Sequence, residues 1–309
     1  MGTLKKPVFI QGKGIHSGLP VNMTIKPSKK HGIFFRRIDL NSKNLIPARF
    51  DNVGDTRMRN TTIGNTKEAH VQTIEHLMAA LFIAGVDRAV IDIDGKETPI
   101  LDGSAAQFYD AIMKAGITSG KLKKIIVKKE IIAKASELLK ELSFGARIKL
   151  FLFNLVSGRK SNGFVKLSPA KRGLQITATL IYPEKIIGKQ TFSYEFDGNK
   201  KSVQNFIKEI SQARTFGKIS EWEYLKARGM GRGADETNVI ALNDKGDGTI
   251  NRVLWPDEFV RHKIIDVIGD MFTSGGFVVG KVESFKGSHA LNNLVLKKLF
   301  SDKNNYDII

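Results

Sequence analysis

The chain has no cysteine among its 309 residues. Disulfides and thiolate metal sites are therefore excluded, and any metal must be held by His, Asp or Glu. A long apolar run is missing too. The greasiest stretch, Ile148 to Val156, is interrupted by Lys149 and Asn154, far short of the roughly 20 apolar residues a spanning helix needs. The opening MGTLKKPVFIQG starts basic but holds no apolar core of signal-peptide length. Lys6 stands where a myristoylation pattern needs Ser or Thr. A cytoplasmic protein is the expectation. Acidic residues are in short supply: 31 Asp and Glu face 49 Lys and Arg, a formal net charge of +18. That excess suits an anionic partner such as nucleic acid, membrane headgroups or a phosphorylated substrate. A lysine-rich surface without a dedicated partner accounts for it equally well. No RNP motif, zinc finger or basic helix-turn-helix accompanies the charge, so nucleic acid is not the expected partner.

What is present reads as a globular chain with a buried core: 41% of residues are hydrophobic and 26% charged. Residues 1–50 alternate like strands in VFIQ, VNMTIKP and GIFFRRIDL, with Pro and Gly marking the turns between them. From Thr73 the period becomes helical. Ile74, Leu77, Met78 and Leu81 share one face, Thr73 is the expected N-cap, and the helix should end near Gly85. AVIDIDG is a strand entering a turn, and Gly103-Ser104 precedes a second helix, AAQFYDAIMKAG, closed by Gly116. LKKIIVKKEIIAK opens a second unit whose strands include LQITATLIY and QTFSYEF, with helices expected over 202–213, 258–272 and 289–300. Strands then helices, twice over, make an α+β protein. The natural cut lies near residues 117–124, giving domains of 1–120 and 121–309.

Several short patterns carry chemistry. In DEFVRHKIIDVIGD, His262 and Asp266 are four apart and share a helix face, as two ligands of a transition metal would, and Asp270 follows one turn later. Glu75-His76 opens a helix, where the carboxylate can lie near a metal-bound water. His289 also opens a helix, with Ser288 as the expected N-cap. A positive helix end depresses a histidine pKa, so a cationic His289 would need a carboxylate such as Asp270 beside it. In ARTFG the Thr215 hydroxyl could donate to an oxyanion. Each pattern alone is ordinary: ion pairs on a solvated face, capping residues and buried histidines look the same.

Their joint order is not ordinary. GKGIHSG, TIEHLMAAL, PILDGSA, ARTFG, FVRHKIIDVIGD and SHALNN follow one another along the whole chain. This closely resembles the UDP-3-O-acyl-N-acetylglucosamine deacetylases of lipid A synthesis. DNVGDTRM, GVDRAVIDIDG and IGKQTFSYEF look like segments of the same family. The resemblance implies two similar domains, each a β-sheet with paired helices, packed as a layered sandwich around the active site. Glu75 and His76 would lie in the first domain, and His262, Asp266 and His289 in the second. It also implies a zinc amide hydrolase (Fe2+ is the alternative ion in the cell) acting on an acylated UDP-N-acetylglucosamine. His76, His262 and Asp266 match the metal ligands, Glu75 the general base, and His289 the second acid/base residue. Asp270 matches the carboxylate that orients His289, and Thr215 the hydroxyl at the oxyanion. Phe216 matches a wall of the substrate site, Lys263 a residue near the diphosphate, and His16 a position near the substrate.

Two segments depart from the resemblance. Residues 134–162 form an insertion where the family has a short turn. It is expected to be dispensable for hydrolysis, either as an extra hairpin or as a peripheral membrane or partner contact, since Arg147, Lys149, Arg159 and Lys160 flank its apolar run. GMGRGADETNVI, residues 229–240, reads Ala234-Asp235-Glu236-Thr237 where the family commonly places Ser and an apolar or aromatic residue just before the Asn, which leaves the preferred acyl chain open. A monomer is expected. A silent nucleotide-sugar sensor and a nucleic-acid binder are the competing classes. Turnover with quantified metal discriminates the first, and a steep salt slope of nucleic-acid binding the second.

Overall fold

The computed structural model describes residues 2–40, 43–54, 60–118, 120, 123–140, 162–227 and 229–309. In chain order the first part runs β1 (Val8–Lys13), β2 (Pro20–Pro27), β3 (Gly32–Arg37), β4 (Ile46–Pro47), β5 (Ile63–Gly64) and β6 (His70–Val71). Helix α1 (Glu75–Ala84), β7 (Arg88–Ile93) and α2 (Ala106–Ala115) complete it. The second part begins with β8 (Lys124–Val127), β9 (Ile131–Lys134), α3 (Ala135–Lys140), β10 (Phe164–Ser168), β11 (Leu174–Ile181) and β12 (Lys189–Phe196). It continues with α4 (Lys200–Glu209), β13 (Phe216–Lys218), α5 (Ile219–Lys226) and β14 (Ile240–Leu242). It closes with α6 (Glu258–Phe272), β15 (Phe277–Phe285), α7 (His289–Phe300) and β16 (Tyr306–Ile308).

Period-two burial builds the sheets. In β2, Val21, Met23 and Ile25 turn inward while the residues between them do not. The first sheet has the order β1-β2-β7-β3-β4, antiparallel except for the parallel β3–β7 pair. The second runs β12-β11-β15-β10-β9, with β11 parallel to β15. β8 adds in parallel to the start of β15, and β16 pairs with β8. The protein is thus α+β, with mixed sheets.

Two helices at the centre decide where the chemistry can sit. Every residue of α1 from Glu75 to Ile83 is buried, as is all of α6 except Arg261 and Lys263. A helix apolar on all sides belongs inside a core, and the charged residues these two carry are taken in with them. α1 packs on the second sheet too: Phe82 stacks on Phe277 at 4.0 Å and lies 5.0 Å from Phe196. The helices come close at Gly269, where a Cβ would fall 2.0 Å from the Glu75 carbonyl oxygen. No helix among the described residues is long and apolar enough to cross a membrane.

Several expectations from sequence are corrected. Thr73 does not cap α1. Ile74 is the N-cap, without a side-chain bond, and the Thr73 hydroxyl donates to Glu97 at 3.0 Å. Thr73 adopts a positive φ of 59°, which turns the chain into the helix and aims its hydroxyl away from the helix's free N–H groups. The helix expected over 202–213 is Lys200–Glu209, because Asn199 caps it by accepting from Ser202 N–H. GIFFRRIDL leaves the sheet after Arg37 and becomes a 3-10 turn over Ile38–Leu40. Lys134 is the last residue of β9 and faces Phe164 across the ladder, and Glu137 in α3 pairs with Lys298 in α7. The strand expected over 150–156 lies outside the described residues.

Candidate metal centre and active site

The first turn of α1 and the middle of α6 bring Glu75, His76, His262 and Asp266 together, all buried. One ligand atom from each of His76, His262 and Asp266 lies within 4.8 Å of the others. Asp266 Oδ1 is 3.4 Å from His262 Nε2 and 3.7 Å from His76 Nε2, and it is a buried oxygen without a hydrogen-bond partner. The two imidazole rings stand edge to face at 4.9 Å. His262 Nδ1 donates to the Ala213 carbonyl at 3.0 Å, which fixes the tautomer and leaves Nε2 as the ligand atom. Burial drives the His262 pKa down to about 3, so it is the neutral imidazole a metal requires. Burial works against the Asp266 charge, but Lys263 and His262 outweigh it and hold the pKa well below the usual carboxylate range. Two imidazoles and one carboxylate, whose Oδ1 is the orphaned buried oxygen, fit a divalent transition metal.

Around this cluster stand the groups that can move protons. Ser288 caps α7 as expected, accepting from Leu291 N–H, and so sets His289 at the helix start. His289 Nδ1 donates to Asp270 Oδ2 at 2.8 Å. Its Nε2 lies 3.9 Å from both Glu75 Oε1 and Asp266 Oδ2. Burial opposes a charged imidazole, but Asp270 and Glu75 more than compensate and raise its pKa to about 10. The carboxylate partner that sequence called for is therefore in place. Glu75 is raised above the ordinary carboxylate value, chiefly by burial.

The other expected residues also reach this place. Glu75, His76, His262, Asp266, His289, Thr215, Phe216, Lys263 and His16 line one cleft of about 310 Å³. Thr215 is held by its backbone, its N–H donating to Gly103 O and its carbonyl accepting from Ile240 N–H. A Cβ on Gly103 would lie 1.9 Å from Asn238 O, so this turn docks only as glycine. Phe216 stands edge-on to Phe259 at 5.1 Å. Lys263 Nζ contacts Asp266 Oδ2 at 2.6 Å and lies 5.7 Å from the Phe216 ring. His16 is brought in by its backbone: its N–H and that of Ser17 donate to the buried Glu97 carboxylate at 2.9 and 3.0 Å. Asp235 does not line the cleft. Its carboxylate pairs with Lys13 and Thr237, while Ala234 faces the cleft.

Sequence reasoning missed several contributors. Glu258, fully buried, accepts from the Arg214 backbone N–H and Nε at 3.1 and 2.9 Å. It thereby ties the segment bearing Ala213 and Thr215 to the start of α6. Asn292 Nδ2 donates to Asp270 Oδ2 at 2.8 Å. Thr61 contacts both Glu75 and Asp270. Arg214 and Asn292 lie inside the ARTFG and SHALNN patterns, so a signal was present for them; for Thr61 there was none.

Comparison with known proteins gives the family. The family model described as UDP-3-O-acyl N-acetylglycosamine deacetylase matches residues 1–301. A relative from a Nitratiruptor species, named UDP-3-O-acyl-N-acetylglucosamine deacetylase, is 37% identical over 99% of this chain and 92% of its own length. Proteins of the same name from Myxococcus xanthus and Teredinibacter turnerae are 37% and 33% identical over 99% of this chain, covering 88% and 92% of theirs. A family model that spans residues 1–301 and relatives 33–37% identical over 99% of the chain place it in the UDP-3-O-acyl N-acetylglycosamine deacetylase family.

Proposed function

We propose that this chain hydrolyses the N-acetyl amide of a UDP-3-O-acyl-N-acetylglucosamine, yielding acetate and the free amine, the committed step of lipid A synthesis. The observation that carries the reading is the convergence of His76, His262 and Asp266 with Glu75 and the His289–Asp270 pair on one cleft. Held by those three residues, a divalent cation (zinc, or iron in the cell) would polarise the amide carbonyl and acidify water toward neutral pH. Glu75 accepts the proton of the attacking water, a task suited to a carboxylate whose pKa is raised by burial. As the carbonyl carbon becomes tetrahedral, its oxygen gains charge. The cationic His289 and the Thr215 hydroxyl stabilise that charge. The C–N bond then breaks, with the amine taking a proton from His289 or back from Glu75, and the acyl carbon leaves as acetate.

Lys263 and His16 bind the substrate outside the reacting atoms. Lys263 supplies positive charge toward the diphosphate, and Phe216 walls the sugar. The excess of basic residues suits an anionic substrate. Domains of 1–120 and 121–309 each contribute one main sheet, the first with α1 and α2 and the second with α6 and α7 as its principal helices, and the layers meet at α1 and α6. The strand pairings support this division, since each main sheet draws its strands from one side of the cut. The protein works as a cytoplasmic monomer, with the 134–162 segment as an extra hairpin or a peripheral membrane or partner contact. The test is acetate release from an acylated UDP-N-acetylglucosamine with bound metal quantified. Release that stops with a chelator and returns with zinc is the expected result; release indifferent to both refutes the reading.

A further inference from the structure

We propose that Thr61 is a positioning residue for this reaction, tying the general base to the histidine–aspartate pair; the proposal rests on the deacetylase reading above. Thr61 lies just before β5, 3% exposed, on a segment that contributes none of the matched residues. Its backbone N–H donates to Glu75 Oε2 at 3.0 Å, and its hydroxyl contacts Asp270 Oδ1 at 2.5 Å. A carboxylate only accepts, so the hydroxyl is the donor. Its oxygen lies 3.2 Å from His289 Nδ1, whose one N–H goes chiefly to Asp270 and can be shared with it.

The two bonds settle separate questions. At Glu75, Oε2 is engaged by Thr61, which leaves Oε1 as the oxygen 3.9 Å from His289 Nε2. Glu75 is thus held with one chosen oxygen toward the cleft. At Asp270, Oδ2 receives His289 Nδ1 and Asn292 Nδ2, both at 2.8 Å. Without Thr61, Oδ1 would lose the donor that stops the carboxylate turning about its Cβ–Cγ bond. That rotation would carry the His289 ring off line, because Nδ1 follows the oxygen it bonds. A branched side chain has few χ1 states, so the hydroxyl is held where both partners need it. Among the described residues Thr61 hydrogen-bonds to none of the three metal-binding side chains, and it does not itself line the cleft. Its effect should therefore appear in the chemical step, not in metal or substrate binding.

Thr61→Val keeps the shape and the backbone N–H and removes only the hydroxyl; Thr61→Ser keeps the hydroxyl. The proteins are compared for kcat, KM, zinc content and thermal midpoint. Thr61→Val should lower kcat roughly 10- to 100-fold, the loss typical of a partner that orients a functional group. KM and zinc content should stay near wild type, and Thr61→Ser should recover most of the rate. In a His289→Ala background, Thr61→Val should cost little more, since the group it orients is gone. If Thr61→Val does not fold, Thr61→Ala set against Thr61→Ser makes the same comparison. Wild-type kcat in the valine variant overturns the proposal and leaves the deacetylase reading intact. So does a loss confined to KM or zinc content, or a full additional loss on top of His289→Ala. A wild-type protein that binds zinc and releases no acetate overturns the reading and the proposal together.

Discussion

Replacing Gly269 by alanine adds one methyl group where the two central helices touch. The Cβ would lie 2.0 Å from the Glu75 carbonyl oxygen, 2.7 Å from its carbon and 3.0 Å from its Cα. All three are main-chain atoms of α1, so no rotamer change relieves the clash. Restoring a contact of roughly 3.5 Å requires the helices to part by about 1.5 Å at this point. His76 is on one helix and His262 and Asp266 on the other, and a metal tolerates errors of only about 0.2 Å in its bonds. Alanine in a helix interior is intrinsically better than glycine by about 1 kcal/mol, which opposes the clash. Overpacking against rigid neighbours costs about 1–3 kcal/mol, and main-chain atoms place this site near the top of that range. The variant should lose about 2 kcal/mol net, a fall of several degrees in thermal midpoint. Zinc should restore less stability to it than to the wild type, because the ligand set is spread. The assay is a pair of melting curves with and without zinc, alongside metal content and acetate release. A Gly269→Ala protein that melts at or above the wild-type temperature with a full complement of zinc would refute the close approach of α1 and α6.

Five further outcomes follow from the same geometry. His76→Ala, His262→Ala and Asp266→Ala should each lower metal content and acetate release together, since each removes one of three ligands; full occupancy with full activity in any of them dismisses the assignment. Glu75→Gln should cut turnover by about two orders of magnitude or more with metal retained, and the rate should be bell-shaped in pH. Asp270 is the foremost group raising His289 to about 10, so Asp270→Asn should move the alkaline limb to lower pH; an unmoved or upward-shifted limb contradicts a cationic His289. Lys263→Ala should raise KM more than it lowers kcat, and less so for an analogue lacking the nucleotide. Its ion pair with Asp266 makes zinc content a necessary control, and equal losses for both substrates place the lysine's role elsewhere. Because Lys134 and Phe164 already face each other across the ladder, a Gly-Asn turn replacing residues 135–163 should close a hairpin and keep zinc-dependent hydrolysis. Loss of binding to anionic vesicles in that variant would mark a membrane contact, loss of thermal stability alone would mark a structural role, and loss of activity in a folded, zinc-loaded variant would show that the segment shapes the site.

Much of the local structure was legible because its causes are local. The bounds of α6 and α7 coincide with the expected 258–272 and 289–300, and Gly85 and Gly116 end α1 and α2 as foreseen. Apolar period, a capping serine and a closing glycine act over a few residues. Local signals misled where a distant group took the local partner. Thr73 has the chemistry of an N-cap, but Glu97, 24 residues away, holds its hydroxyl.

Residue order along the chain was enough to determine the family, the α+β class and a set of candidates for metal binding and proton transfer, because those depend on which side chains exist and how they are spaced. Tertiary structure alone decided how they are held. It set the carboxylate beside His289, the carbonyl behind His262, Lys263 against Asp266, and Asp235 toward Lys13 instead of the cleft. Thr61 and Asp270 are 209 positions apart, and Arg214 and Glu258 are 44 apart. A hydrogen bond is a contact of about 3 Å between two oriented groups. Over such separations no period, cap or turn in the sequence reports it, and only the tertiary packing of the elements brings the groups within reach.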